Sequence, residues 1–145
     1  QRLIGRSLRA CVDLEKMTDV IITIDADVIQ ADGGTRTASI CGGYLAMEIA
    51  VERLLEIGRL RENPIIEPVG AVSAGIVNGE ILLDLCYEED SNAQVDSNIV
   101  LTRSGKIIEF QTTAEGEPYE YKDMLEIFNV AENGIKKIIE MYDFV

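Results

Sequence analysis

No histidine occurs anywhere in the sequence. The side chain that titrates nearest neutrality and most often binds metals is therefore excluded, and acid–base or metal chemistry falls to carboxylates. Cysteine is scarce: Cys11, Cys41 and Cys86 are odd in number and widely spaced. That excludes a disulfide framework or a zinc cluster, fits a reducing cytoplasm, and leaves them as buried small hydrophobes. No apolar run approaches the roughly 20 residues that a membrane span needs. The first residues, "QRLIGRSLRA", are basic but have neither a continuous apolar stretch nor a small-residue cleavage site, and they begin without methionine. They read as the cut end of a longer protein rather than a targeting segment.

What is present fits one ordinary globular domain or two small units leaning on each other: 145 residues, 47% apolar and 27% charged. The net charge of −13 is unevenly spread. Residues 1–61 carry −1 and residues 62–145 carry −12, while seven of the eight arginines lie in the first part. An acidic second half is either a solvated surface or a store of carboxylates for a divalent metal.

Leu3, Ile4, Leu8 and Val12 recur at helical spacing, with Arg2, Arg6 and Arg9 on another side, which predicts an amphipathic helix over 2–14. The stretch "DVIITIDADVIQ" is rich in isoleucine and valine and partly alternates, which predicts a half-buried strand from Val20 to Ile29. From Thr35 the period changes to three and four through Ile40, Tyr44, Met47, Val51 and Leu54, with Gly58 placed as a C-terminal cap. Gly42 and Gly43 inside this helix each cost about 1 kcal/mol relative to alanine, so both imply a close packing contact. A composition shift at "RLRENPIIEP" sets a boundary near Asn63, dividing the chain into 1–63 and 64–145. Beyond it, Asn78-Gly79 and Ser104-Gly105 each sit between apolar runs and predict two hairpins, the first with a type I′ turn. A final helix is expected to turn Leu125, Phe128, Ala131, Ile135, Ile138, Ile139 and Tyr142 inward. The second unit is then a small antiparallel sheet covered by one helix, an α+β arrangement.

Two stretches carry chemistry. In "QADGGTRTASI", Gly33 and Gly34 let backbone approach an anion, the first amides of the following helix are free donors, Thr35 and Thr37 add hydroxyls, and Arg36 adds a cationic fork. By composition alone the same residues read first as a plain helix entry, capped by Asp32 or Thr35, with Arg36 in solvent, since the pattern is neither a P-loop nor a Rossmann fingerprint. In "DLCYEEDSNAQVD", Asp84, Glu88, Glu89, Asp90 and Asp96 follow a strand within a loop-like connection. They are either a solvated acidic loop or oxygen ligands for Mg²⁺ or Mn²⁺. Together the stretches point to phosphoryl or nucleotidyl transfer.

Four motifs, "QRLIGRSLRA", "QADGGTRTASI", "GIVNGEILLDLCYEEDS" followed by "VDSN", and "TAEGEP", occur in the order and at the spacing seen in bacterial ribonuclease PH enzymes. The chain resembles the C-terminal three-fifths of that family over its whole length. The implied fold is ribonuclease PH-like: a partial ribosomal-protein-S5-domain-2-like unit over 1–63, followed by a sheet-plus-helix second domain over 64–145. The implied activity is phosphate-dependent 3′→5′ exoribonuclease, with inorganic phosphate as co-substrate, trimming the 3′ ends of tRNA precursors and releasing nucleoside 5′-diphosphates; rRNA processing belongs to the same picture.

The resemblance also assigns roles. Gly34, Thr35 and Arg36 match the family's phosphate-binding turn, and Asp90 and Asp96 match its two active-site aspartates, which position Mg²⁺ or Mn²⁺ and assist protonation of the leaving ribose oxygen. Asp84 and Glu89 are secondary candidates. Arg2, Arg6 and Arg9 fall in a segment associated with subunit contact and the approach of RNA. The expected partners are RNA with a single-stranded 3′ end and further copies of the chain, in a cytoplasmic hexameric ring built as a trimer of dimers, with no membrane involved. Three departures stand out: Cys86 at a position where aspartate is frequent, "VDSN" for "VDMN", and "QTTAEG" for "QGTAEG". The family also has a second phosphate-binding arginine, upstream of Gln1. The competing expectations are a non-catalytic RNA-binding subunit of an exosome-like ring, and a hydrolytic rather than phosphorolytic nuclease.

Overall fold

The computed structural model describes residues 2–144. Helix α1 covers Arg2–Ala10 and is shorter than the periodicity predicts. It stops because the chain turns to pair elsewhere: Asp13 donates its N–H to Pro64 at 2.8 Å, and Cys11 accepts from Ile66 at 2.8 Å. A 3-10 turn, Leu14–Met17, follows.

The expected strand over Val20–Ile29 does not form. The alternation survives in burial, since Val20, Ile22 and Ile24 pack on the core while Ile21 is 93% exposed. A strand also needs a neighbour, however, and among the described residues the only backbone bond from this segment is the turn bond from Val20 N–H to Met17 at 3.1 Å.

Helix α2 spans Thr35–Glu56, and Gly58 follows its end with φ +69°, as a C-terminal glycine should. Gly43 is the close contact that its helical position implies: a Cβ there would lie 3.1 Å from Leu8 Cδ1. Gly42 is not; it faces open space and makes no such contact.

Strands β1 (Val69–Val77) and β2 (Glu80–Leu83) form the first hairpin. Asn78 and Gly79 both have positive φ, 52° and 79°, as a type I′ turn requires. A short helix α3, Tyr87–Ser91, replaces the loop read from Asp-Ser-Asn composition, because three acidic side chains lie at its N-terminal turn, where a helix favours negative charge. Strands β3 (Val95–Thr102) and β4 (Ile107–Ala114) form the second hairpin. The four strands are antiparallel in the order β2-β1-β3-β4.

Helix α4, Tyr121–Tyr142, closes one face of the sheet; Ile135 and Ile139 sit where a Cβ on Gly70 would meet them at 3.0 Å. Ile127 is fully buried on this helix, whereas Leu125, expected inside, is 43% exposed. The opposite face carries α2 and α1: Cys41 Sγ bonds the Ala71 backbone, and Arg6 pairs with Glu109. Within 64–145 one long helix, α4, covers the sheet as expected, and elements before Asn63 pack on it as well, so β1 is buried at eight of its nine positions and reads as a continuous apolar run. Tyr44 of α2 stacks on Tyr142 of α4 at 5.3 Å between ring centres, and one buried cluster runs through both sides of Asn63.

Candidate active site

The site is built where the turn before α2 meets the segment before α3. Gly34 is the N-terminal cap of α2 with φ +69°, and no side chain caps the helix, so neither Asp32 nor Thr35 serves that purpose. The first backbone bond across the cap is Ala38 N–H to the Gly34 carbonyl at 2.9 Å. The N–H groups of Thr35, Arg36 and Thr37 have no acceptor among the described residues.

Asp32 is a brace. Its Oδ1 accepts the N–H of Tyr87 at 2.5 Å and of Gly33 at 2.8 Å. Those two bonds, the Tyr87 one foremost, hold its carboxyl below the usual aspartate range. Gly33 makes the approach possible: a Cβ on it would lie 1.9 Å from the Leu85 carbonyl oxygen. Segment 84–85 is fixed in turn by Ser73 of β1, whose carbonyl accepts Asp84 N–H at 2.7 Å and whose Oγ accepts Leu85 N–H at 3.1 Å.

Helix α3 then presents Asp90. Glu89, a candidate from sequence, is occupied otherwise: its carboxylate accepts the Cys86 N–H at 2.9 Å in a capping box. Cys86 is exposed and Cys41 only partly buried, so of the three cysteines Cys11 alone is a buried hydrophobe. Asp96 lies near the start of β3, opposite Gly75 of β1. Alternation places Asn98 on the same face, opposite Ser73.

These elements enclose a cavity of about 80 Å³, lined by the turn residues Asp32, Gly34, Thr35 and Arg36 and by Ser73, Asp90, Asp96 and Asn98 of the sheet side. By volume it takes two or three waters or one small oxyanion. Among the described residues no carboxylate lies within 4 Å of the Arg36 guanidinium, so its charge is uncommitted. Burial raises the Asp96 pKa above the ordinary carboxylate value, the Asp90 carboxylate raises it further, and Arg36 opposes both. Larger hollows lie elsewhere. One of about 490 Å³ beneath α1 is mostly aliphatic, and it holds none of the paired carboxylates or free amides found here.

All five of the residues matched to phosphate or catalytic roles, Gly34, Thr35, Arg36, Asp90 and Asp96, therefore line one cavity. Asp84 stands just outside it, in left-handed conformation with φ +58°, lining an adjoining hollow with Gly33 and Thr37. Arg2, Arg6 and Arg9 on α1 do not reach it. Ser73 and Asn98 were not singled out by the sequence; strand alternation from Asp96 is the signal that finds Asn98, while Ser73 sits unmarked in an apolar run.

Among the described residues no group of three or more Cys, Asp or Glu side chains is placed to hold a metal ion. Two carboxylates with a neighbouring amide oxygen nonetheless form a hard-oxygen set that fits Mg²⁺ or Mn²⁺, which keep several waters and bind through one or two carboxylates plus substrate phosphate.

Comparison with known proteins assigns the family. Residues 1–51 match the model of the 3′ exoribonuclease family, domain 1, and residues 67–134 match that of the same family's domain 2. A ribonuclease PH from Neisseria gonorrhoeae is 58% identical over 139 residues, covering 96% of this chain and 57% of the relative. One from Exiguobacterium sibiricum is 52% identical, covering 96% and 56%. The chain thus spans under three-fifths of the length of these relatives. In fold it is similar to an archaeal exosome core (TM-score 0.70, 21% identity, 98% of this chain and 61% of that one) and to rice Rrp46 (TM-score 0.64, 17% identity, 99% and 62%). With both domains matched in order and ribonuclease PH sequences more than half identical across nearly the whole chain, this protein belongs to the 3′ exoribonuclease family, in its ribonuclease PH branch.

Proposed function

We propose that the protein is a phosphorolytic 3′→5′ exoribonuclease. The observation that supports the reading best is the meeting, in one cavity of about 80 Å³, of unpaired helix-start amides, an uncommitted arginine and two carboxylates. Anion and acid–base chemistry are brought within a few ångströms of each other, as transfer of a phosphoryl group to phosphate requires.

In this reading inorganic phosphate sits on the amides of Thr35 and Arg36 and on the Arg36 guanidinium. One phosphate oxygen attacks the phosphorus of the terminal phosphodiester. The bond from phosphorus to the 3′ oxygen of the preceding ribose breaks, its electron pair stays on that oxygen, and a proton neutralises it. The products are a nucleoside 5′-diphosphate and an RNA one residue shorter. The carboxyl groups of Asp90 and Asp96, beside the leaving oxygen, are the groups through which that proton is delivered, directly or by way of a bound water. Arg36 offsets the charge that builds on the phosphoryl oxygens. Asp90 and Asp96 would hold Mg²⁺ or Mn²⁺, whose chemistry there is neutralisation of phosphate charge.

We further assign the substrate as RNA with an unstructured 3′ end, such as tRNA and rRNA precursors, and the working form as a cytoplasmic hexameric ring. No described helix is long and apolar enough to cross a membrane. The test is release of nucleoside diphosphates from such RNA by the full-length protein with Mg²⁺, with and without phosphate. Monophosphate products, or turnover indifferent to phosphate, would sink the reading. Light scattering of the same preparation reports the ring.

A further inference from the structure

We propose that Asn98 is a further phosphate ligand of this site, donating its side-chain N–H to an oxygen of the bound phosphoryl group. The inference rests on reading the cavity as a phosphate site.

Six polar residues are buried in the described structure: Ser7, Thr37, Ser73, Ser97, Asn98 and Thr102. Five have their side chains bonded. Ser7 donates to the Leu3 carbonyl at 2.9 Å, and Thr37 to the Gly34 carbonyl at 2.8 Å. Ser73 accepts from Leu85 at 3.1 Å, Ser97 donates to Thr112 at 2.8 Å, and Thr102 shares a bond with Ser104 at 3.1 Å.

Asn98 alone differs. It is 4% exposed, yet among the described residues its amide has no hydrogen-bond partner. No sealed side-chain nitrogen or oxygen lacks a partner, so the amide is not walled in; its opening is the cavity it lines. An amide with two donors and an acceptor free, and opening onto the cavity, is available to bond whatever enters it.

Placement says what enters. Asn98 lies two positions along β3 from Asp96, about 7 Å away between Cα atoms and on the same face. Across the cavity stand the free amides of Thr35 and Arg36 and the Arg36 guanidinium. A tetrahedral oxyanion on those donors has an oxygen turned toward the sheet, where the carboxylates repel it and the neutral donors are the Asn98 amide and the Ser73 hydroxyl opposite it. A lysine in its place would be drawn onto Asp90 and Asp96. Asparagine donates without competing for them.

The phosphoryl group is either inorganic phosphate or the terminal phosphodiester of RNA, and the measurement separates the two. Full-length wild type, Asn98→Ala and Asn98→Asp are titrated calorimetrically with inorganic phosphate, and KM is measured for phosphate and for RNA. Loss of one hydrogen bond to a charged oxygen corresponds to about a tenfold weaker constant. That loss in the phosphate constants assigns the bond to inorganic phosphate; the same loss confined to RNA assigns it to the phosphodiester. Asn98→Asp keeps the shape and adds a repelling charge, so it weakens binding more than alanine, and it carries the test should alanine not fold. Unchanged constants for both ligands in a variant with wild-type melting temperature overturn the proposal while leaving phosphorolysis standing. A wild type that binds phosphate, loses affinity in Asn98→Ala, yet makes no nucleoside diphosphate overturns the functional reading and leaves Asn98 as a ligand. A wild type that binds neither ligand overturns both.

Discussion

The Asp32 carboxylate accepts the backbone N–H of Tyr87 at 2.5 Å across 55 positions of sequence, and this bond joins the turn before α2 to the helix that carries Asp90. The helix-start donors and the carboxylates that line the cavity are thereby registered against each other. Asp32→Ala frees the turn from segment 85–87, and we expect KM for phosphate to rise about tenfold while the protein still folds. Asp32 is fully exposed and its pKa is lowered, so its stabilising effect is present at neutral pH and fades as pH falls below the ordinary aspartate value of 3.8. The gap in melting temperature between wild type and Asp32→Ala should narrow in strong acid. A gap that is constant with pH would deny the carboxylate this role.

The two glycines of the turn are not equivalent. Gly34 has the positive φ, and alanine there costs about 1–2 kcal/mol of backbone strain, with Ser73 Oγ 3.3 Å from the new Cβ. Gly33 has no such φ, yet its Cβ would meet the Leu85 carbonyl oxygen at 1.9 Å, which only backbone movement relieves. Gly33→Ala should therefore lower the melting temperature more than Gly34→Ala, and it should cost more activity because the turn must lift off α3. The reverse order in a thermal unfolding series would place the constraint in φ rather than in contact.

Asp96 opposes function to stability. Its pKa is raised, by burial first and by Asp90 second, so the folded state holds the proton more tightly than the unfolded chain does. The sign is that this group favours folding at low pH and disfavours it as pH rises through the folded pKa. Asp96→Asn should then abolish turnover yet raise the melting temperature at pH 7, with the gain vanishing in acid below the ordinary aspartate value. Active sites commonly carry such costs. A variant less stable than wild type at pH 7 would contradict the assignment of burial as the leading cause.

How much was legible in the sequence follows from where the constraint was local. Hairpins at Asn78-Gly79 and Ser104-Gly105 were legible because positive φ forces residue choice; Gly105 has φ +82°. Helix α2 was legible from its period. The segment Val20–Ile29 was not, because a strand is a relation between two backbones and its sequence describes only one of them. Helix α3 was hidden by a composition that loops share. Asp90 and Asp96 were recognisable as a motif, but whether they met Arg36 depended on Ser73, which holds segment 84–85 from within an apolar strand. Nor could composition distinguish Gly33 from Gly34, since one answers to a neighbour 52 positions away and the other to its own φ.

The electrostatic balance around Asp96 can be tested without turnover. Burial raises its pKa, Asp90 and, less, Glu115 raise it further, and Arg36 lowers it. Asp90→Asn removes one raising charge and Arg36→Ala removes the lowering one, so the two variants should move the Asp96 carboxyl in opposite directions, down and up. Carboxyl resonances followed by NMR through a pH titration report both shifts directly. Because the residues share one cavity, the double variant should not show the sum of the single shifts, since neighbouring charges couple. Shifts in the same direction would mean that the variants rearrange the cavity, and the opposed influences of Asp90 and Arg36 on Asp96 would have to be abandoned.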